Sequence, residues 1–194
     1  MGYARLGALK SYLGIDDNTA THDVLLESLL ERATTAIDNF TGRTFEAVTE
    51  TRYFESDALD DNGETLIVDR DLLTVTTLTN GDDGATVIPS TEYWLVPRNS
   101  TPKHGIRLKS DSLYQWEHDT DYWISVLGTW GYSADPPADV VHACIRLGAY
   151  YYTQKDAQVF DVTANPDAGV ITVPQGIPRD VERLLAPYKR QGFA

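Results

Sequence analysis

The chain has 194 residues with Asp+Glu 29 against Lys+Arg 16, a formal net charge of −13. Hydrophobic content of 42%, with Trp 4, Tyr 11 and Phe 5, is enough for a packed core and excludes a disordered chain. The acidic balance excludes a general nucleic-acid binder, because phosphate contacts need a cationic surface, and suits a surface along which DNA slides without sticking.

In chain order, residues 4–13 place Leu6, Leu9 and Leu13 at helical spacing and end at Gly14, a suitable C-terminal cap. Met1-Gly2-Tyr3-Ala4-Arg5 has no signal-peptide character, and the expected setting before any assembly is a cytoplasm. A longer helix is expected from Thr21 as N-cap, with Asp23 in its first turn and a stripe of Leu26, Leu30, Ala33, Ile37 and Phe40, stopping at Thr41-Gly42. From about residue 45 to 132 the pattern turns to short strands. These are Leu66-Ile67-Val68, Thr74–Leu78, Tyr93–Val96, Ile106–Leu108 and Tyr122–Leu127, with Asn80-Gly81-Asp82-Asp83-Gly84 as a hairpin turn. Residues 55–71 concentrate Glu55, Asp57, Asp60, Asp61, Glu64, Asp69 and Asp71 against the single base Arg70; part of the cluster Asp57, Asp60, Asp61, Glu64, Asp69 and Asp71, or the turn Asp82-Asp83, is expected to face solvent or DNA.

Helix returns after Asp135-Pro136-Pro137, since proline fits a first helical turn. The run Val140–Tyr152 is apolar almost all round, so it must be covered on every side, by a neighbouring subunit or by its own core. Val141, Leu147 and Tyr151 are the residues expected at a subunit interface. A stretch at 156–177 is too long for an ordinary connector and reads as two strand-like arms, Val159–Thr163 and Gly169–Val173. Its Phe160, Val162, Ile171 and Val173 are expected to contact a partner. A last helix begins at Pro178, and Arg179, Arg183, Lys189 and Arg190 form a basic end suited to an acidic partner surface.

No phosphate loop, nucleophile elbow or metalloprotease helix is present. Cys144 stands alone in an apolar run and reads as a small core residue. His118 with Asp119 and Asp121 could be imagined as a metal cluster, but an acidic solvated turn is the commoner meaning of such a segment. Asp60-Asp61-Asn62-Gly63-Glu64 lacks the closing ligand of a calcium loop. Trp116, Tyr122, Trp123, Trp130 and Tyr132 could line a sugar cleft, although such residues more often pack a β core.

The opening Leu9-Lys10-Ser11-Tyr12-Leu13-Gly14-Ile15, then Leu25–Leu30, Arg32-Ala33 and Ile37–Arg43, resembles the start of head–tail connector (adaptor, or head completion) proteins of long-tailed phages. The later Val126-Leu127-Gly128-Thr129-Trp130-Gly131-Tyr132, Pro136-Pro137, Val140–Tyr152 and Val173-Pro174-Gln175-Gly176-Ile177-Pro178 are similar too. The resemblance implies an α+β fold: a helical bundle of about four helices with an inserted β-rich subdomain. The expected divisions are 1–44, 45–132 and 133–194, the last carrying a protruding arm at 156–177.

The resemblance also implies a structural virion protein in the head–tail neck, with no catalysis, no cofactor, no metal and no membrane contact. It implies a homo-oligomeric ring of about twelve copies in closed cyclic symmetry. The implied partners are the portal protein, which the basic C-terminal end would dock on, and the next neck or tail protein, with double-stranded DNA passing through unbound. The alternatives are a carbohydrate-binding or carbohydrate-cleaving β domain and a tail-completion protein.

Overall fold

The computed structural model describes residues 2–117, 121–154 and 176–190. The chain divides into two compact units, Met1–Gly42 with Pro136–Ala194, and Arg43–Asp135. The described residues hold four α-helices and one five-stranded antiparallel sheet, a mixed α+β fold.

In the helical unit, α1 spans Leu6–Leu13 and α2 spans Asp23–Thr41. Gly14 takes φ 71°, a left-handed conformation that costs glycine least, and lets the Ile15 N–H reach the Lys10 carbonyl at 2.9 Å. The expected Thr21 cap is not used: His22 holds the N-cap position of α2 and no side chain caps it. Asp23 instead meets the buried ammonium of Lys10 at 2.5 Å, and Lys10 also donates to the Asp17 carbonyl at 3.1 Å. Helix α3 spans Ala138–Gln154 and packs on α1 and α2 as well as on α4, Arg179–Leu185, which runs into a 3-10 turn at Ala186–Tyr188. Val140, Ala143, Cys144, Leu147, Gly148 and Ala149 of α3 are buried, and Leu9, Leu26, Leu30, Ala33 and Ile37 complete that core. The greasy helix is therefore central to its own unit.

In the β unit, β1 is Val48–Phe54, β2 Thr65–Thr79, β3 Tyr93–Val96, β4 Lys103–Leu108 and β5 Ile124–Trp130. The strand order is β1-β5-β2-β4-β3. β2 serves two partners. Its first half pairs with β4 (Leu66 opposite Ile106) and its second with β5 (Leu78 opposite Val126). Register shifts between Leu72 and Thr74 and between Val75 and Thr77 mark bulges, which bend a long strand and raise its twist. The two strands expected at 66–68 and 74–78 are thus one, because the intervening Asp69 and Arg70 are simply exposed strand positions. The Asn80–Gly84 turn does reverse the chain, with Ile88 N–H bonded to Leu78 O at 2.9 Å, but the returning segment adds only a bridge, Thr79 to Val87. Phe54, Leu66, Val68, Leu72, Leu78, Ile106, Ile124, Val126 and Trp130 fill the core of this unit.

Candidate docking surface

The basic residues singled out at the C-terminal end gather in the helical unit. Arg179, Glu182, Arg183, Ala186 and Lys189 line an open groove of about 370 Å³ whose other wall is Phe40, near the end of α2. Helical spacing puts Arg179, Glu182 and Arg183 on one side of the short helix α4, and Ala186 follows at the start of the 3-10 turn. Its other side is spent on Val181 and Leu185, both buried. Lys189 Nζ lies 4.9 Å from the centroid of the Phe40 ring, a cation held by an aromatic face. Arg179, Arg183 and Lys189 are exposed, and among the described residues none of them forms a salt bridge. Asp180 on the same helix is turned to Arg146 of α3, which leaves Glu182 as the one carboxylate lining the groove. Arg190 is half-buried, and its backbone N–H donates to Thr41 O at 2.7 Å, so it closes the unit rather than lining the groove.

The three residues expected at a subunit interface do not share one environment. Leu147 is fully buried in the core of its own unit. Its apolar surface is already spent there, so the sequence expectation for it is corrected to a core role. Val141 and Tyr151 are half-buried. The Tyr151 ring carries the Arg32 guanidinium 4.2 Å from its centroid, and burial pushes its hydroxyl pKa up. Among the described residues of this unit, the large apolar side chains that reach solvent are Val24, Leu25 and Tyr12. The arm residues Phe160, Val162, Ile171 and Val173 lie outside the described residues.

In the β unit the acidic zone separates into roles. Asp71 does not belong to the part of the cluster that faces solvent: it is buried, and Arg43 Nη1 reaches its two carboxylate oxygens at 2.6 and 2.7 Å. A buried carboxylate persists only with such a partner. Asp69 pairs with Arg52, and Glu64 with Arg107, at the surface. Asp60 Oδ1 accepts the N–H groups of Glu64 and Thr65 at 2.8 and 3.0 Å, which holds its carboxyl below the usual range. Asp82 does the same for the next turn through Thr86. Asp57 and Asp61 are exposed.

The five aromatics do not converge. Trp130 is core, Trp116 donates its indole N–H to Glu64 O at 3.0 Å, and Tyr132 packs on Phe45. Only Tyr122 and Trp123 are exposed, and with Tyr53 they border a shallow cleft of about 300 Å³ that Asp82 and Asp121 also line. Cys144 is buried with its Sγ 3.7 Å from Thr34 Oγ1, and desolvation pushes its thiol pKa up, as a core cysteine requires. Among the described residues no group of His, Cys, Asp and Glu could hold a metal ion, and no helix is long and apolar enough to cross a membrane. His118 and Asp119 lie outside those residues.

Residues 3–70 match the family of phage gp6-like head-tail connector proteins. That match covers α1, α2, β1 and the first part of β2, and it is the family the sequence resembled. Among solved structures, a chain in the neck of an empty GTA particle computed with C6 symmetry superposes at a TM-score of 0.66 with 20% identity, over 99% of this chain and 92% of that one. A chain in the virion of a native gene transfer agent (GTA) particle gives 0.66 with 19% identity, over 99% and 92%. One in the neck of a native GTA particle computed with C12 symmetry gives 0.59 with 20% identity, over 98% and 93%. The fold is thus shared over nearly the whole chain. A comparison with curated proteins gave no match.

Proposed function

We propose that this protein is a non-catalytic head–tail connector: a subunit of a cyclic adaptor ring in the neck of a phage-like particle, joining the portal to the tail. The observation that carries this reading is the connector-family match over residues 3–70 together with a fold likeness to neck chains that spans 99% of the chain. The solved necks have C6 and C12 symmetry, which supports a closed ring of about twelve copies here. On this reading the helical unit is the bundle, and the β unit is inserted between Gly42 and Pro136.

The groove of Phe40, Arg179, Arg183 and Lys189 is the portal-docking surface. It is a cationic face of a molecule whose net charge is −13, and exposed cations that form no salt bridge among the described residues meet an acidic partner at little desolvation cost. The acidic surface of the β unit repels DNA in transit. Imaging of assembled particles with the subunit tagged tests the reading, which fails if the density lies outside the neck. For docking, Arg183→Glu with Lys189→Glu is expected to lower portal capture in a pull-down by about tenfold or more. Wild-type capture removes the groove from the interface.

A saccharide-binding reading has one observation behind it, the exposed Tyr53, Tyr122 and Trp123 around the cleft with Asp82 and Asp121. Thr86 already bonds the Asp82 carboxylate, which leaves Asp121 as the other carboxylate lining the cleft. Binding on a glycan array lost in Trp123→Ala would favour it.

A further inference from the structure

From Tyr93 to Ser110 the chain contains Arg98, Lys103, Arg107 and Lys109 and no acidic residue, in a unit that is otherwise strongly acidic. This segment is β3, β4 and the residues beside them: Lys103 and Arg107 lie on β4, Arg98 follows β3 and Lys109 follows β4, so the bases gather at the β3–β4 end of the sheet. Trp94 of β3 is exposed, with the Arg98 guanidinium 3.7 Å and the Lys109 ammonium 4.2 Å from its ring centroid. Lys103 donates to the carbonyls of Pro97 and Arg98 at 2.7 and 3.1 Å. An indole face and neutral carbonyls position these cations without cancelling their charge. Among the described residues only Arg107 of the four meets a carboxylate, that of Glu64.

The strand order ends at β1 on the other side. Among the described residues β1 pairs only with β5 and β3 only with β4, so each presents a backbone edge outside that ladder. Glu46 and Glu55 flank β1, are exposed, and form no salt bridge among the described residues. Val48 and Tyr53 of β1 are 50% and 63% exposed. Open strand edges invite pairing, and edges that must stay apart are blunted by like charge. Here one edge is acidic and the other basic. That disfavours β1 against β1 and β3 against β3, and favours β1 of one copy against β3 of another. A ring of more than two copies needs such a heterologous contact, in which two different surfaces of each subunit are complementary.

We propose that the basic β3–β4 edge of one copy seats against the acidic β1 edge of the next copy around the ring. This names the subunit contact within the ring reading above and rests on it. The test uses the full-length chain, assembled alone and on portal, with ring content read by sedimentation and negative-stain imaging and folding checked by circular dichroism. Arg98→Glu with Lys109→Glu makes both edges acidic, and Glu46→Lys with Glu55→Lys makes both basic. Each variant alone is expected to lose ring yield by about tenfold or more, the loss of the wild-type contact deepening in low salt where like charges repel furthest. An equimolar mixture of the two is expected to regain rings, with the variants alternating, a recovery that mere misfolding could not produce. If wild type forms rings and every variant forms them equally, the edge contact is wrong and the ring stands. If the first variant keeps its rings but loses retention of double-stranded DNA, the basic edge contacts DNA and the proposal is overturned. If wild type forms no ring even on portal, the ring reading fails and takes the contact with it.

Discussion

The helical unit and the β unit treat charge in opposite ways. In the helical unit the surface charge is nearly balanced and its bases cluster at one end, on Arg179, Arg183, Lys189 and Arg190. In the β unit acids far outnumber bases, and the bases are confined largely to one hairpin. Their interiors differ as well. The helical core rests on neighbours three and four residues apart, whereas the β core is assembled from strands distant in sequence, such as Leu66 beside Ile106 and Leu78 beside Val126. Charge patterns of this kind specify partners more than fold, and they mark the two surfaces on which assembly is expected to depend.

All four tryptophans, Trp94, Trp116, Trp123 and Trp130, lie in the β unit, so their fluorescence follows that unit while helical circular dichroism follows the other. The largest expected effect is Gly128→Val. A Cβ at Gly128 would stand 2.4 Å from Thr74 O, a backbone atom that cannot move aside without breaking the β2–β5 ladder. Loss of about 4 kcal/mol or more is expected, seen as early loss of the fluorescence transition in a urea titration. If the circular dichroism transition shifts equally, the two units unfold as one block rather than separately.

Leu147→Ala is the matching test in the helical unit. Leu147 is fully buried and should cost about 3 kcal/mol in the helical transition, against about 1 kcal/mol for half-buried Val141→Ala. Equal costs would return Leu147 to the surface role its sequence suggested. Asp71→Asn is next, at about 2 kcal/mol in the fluorescence transition, because it leaves the Arg43 guanidinium, itself only 13% exposed, facing a neutral amide. A variant as stable as wild type would mean that the pair orients Arg43 without stabilising the unit.

What was legible in the sequence follows from the same contrast. Helix periodicity is local, so α2, α3 and the Gly14 and Gly42 stops could be read directly from residue spacing. β1 was missed because Val48-Thr49-Glu50-Thr51-Arg52-Tyr53 is mostly exposed edge strand whose identity depends on pairing with β5, eighty residues away at Glu50 and Trp130. The Gly128 and Trp130 positions stood out as a family motif, and the structure supplies the reason: close strand approach at one, a core indole bonded to Glu50 O at 3.1 Å at the other. For the docking groove, the bases could be read from the sequence but Phe40 as their wall could not, since it sat in the expected core stripe of α2. Nor could spacing alone reveal that Leu147 and Asp71 are consumed internally, as burial is a property of the packed unit.

The smallest expected effect concerns Asp60, which holds the turn into β2. Its carboxylate accepts the Thr65 and Glu64 N–H groups, and those bonds, Thr65 first, hold its pKa below the ordinary carboxylate value. A depressed folded-state pKa contributes stability that is fully present above the unfolded pKa and is lost as pH falls through the folded one. The window is therefore the acidic side of the normal carboxylate range, and nothing should change near neutrality. The group sits in solvent, so the effect is screened: Asp60→Ala is expected to cost only about 0.5 kcal/mol at neutral pH. Asp60→Asn keeps an acceptor oxygen and should retain part of that, while removing this residue's share of the acid-side decline. Fluorescence-detected urea midpoints measured at neutral pH and stepwise into acid separate the two variants. An acid-side slope for Asp60→Asn equal to that of wild type would assign the decline to another carboxylate, Asp82 in the neighbouring turn being the next to test.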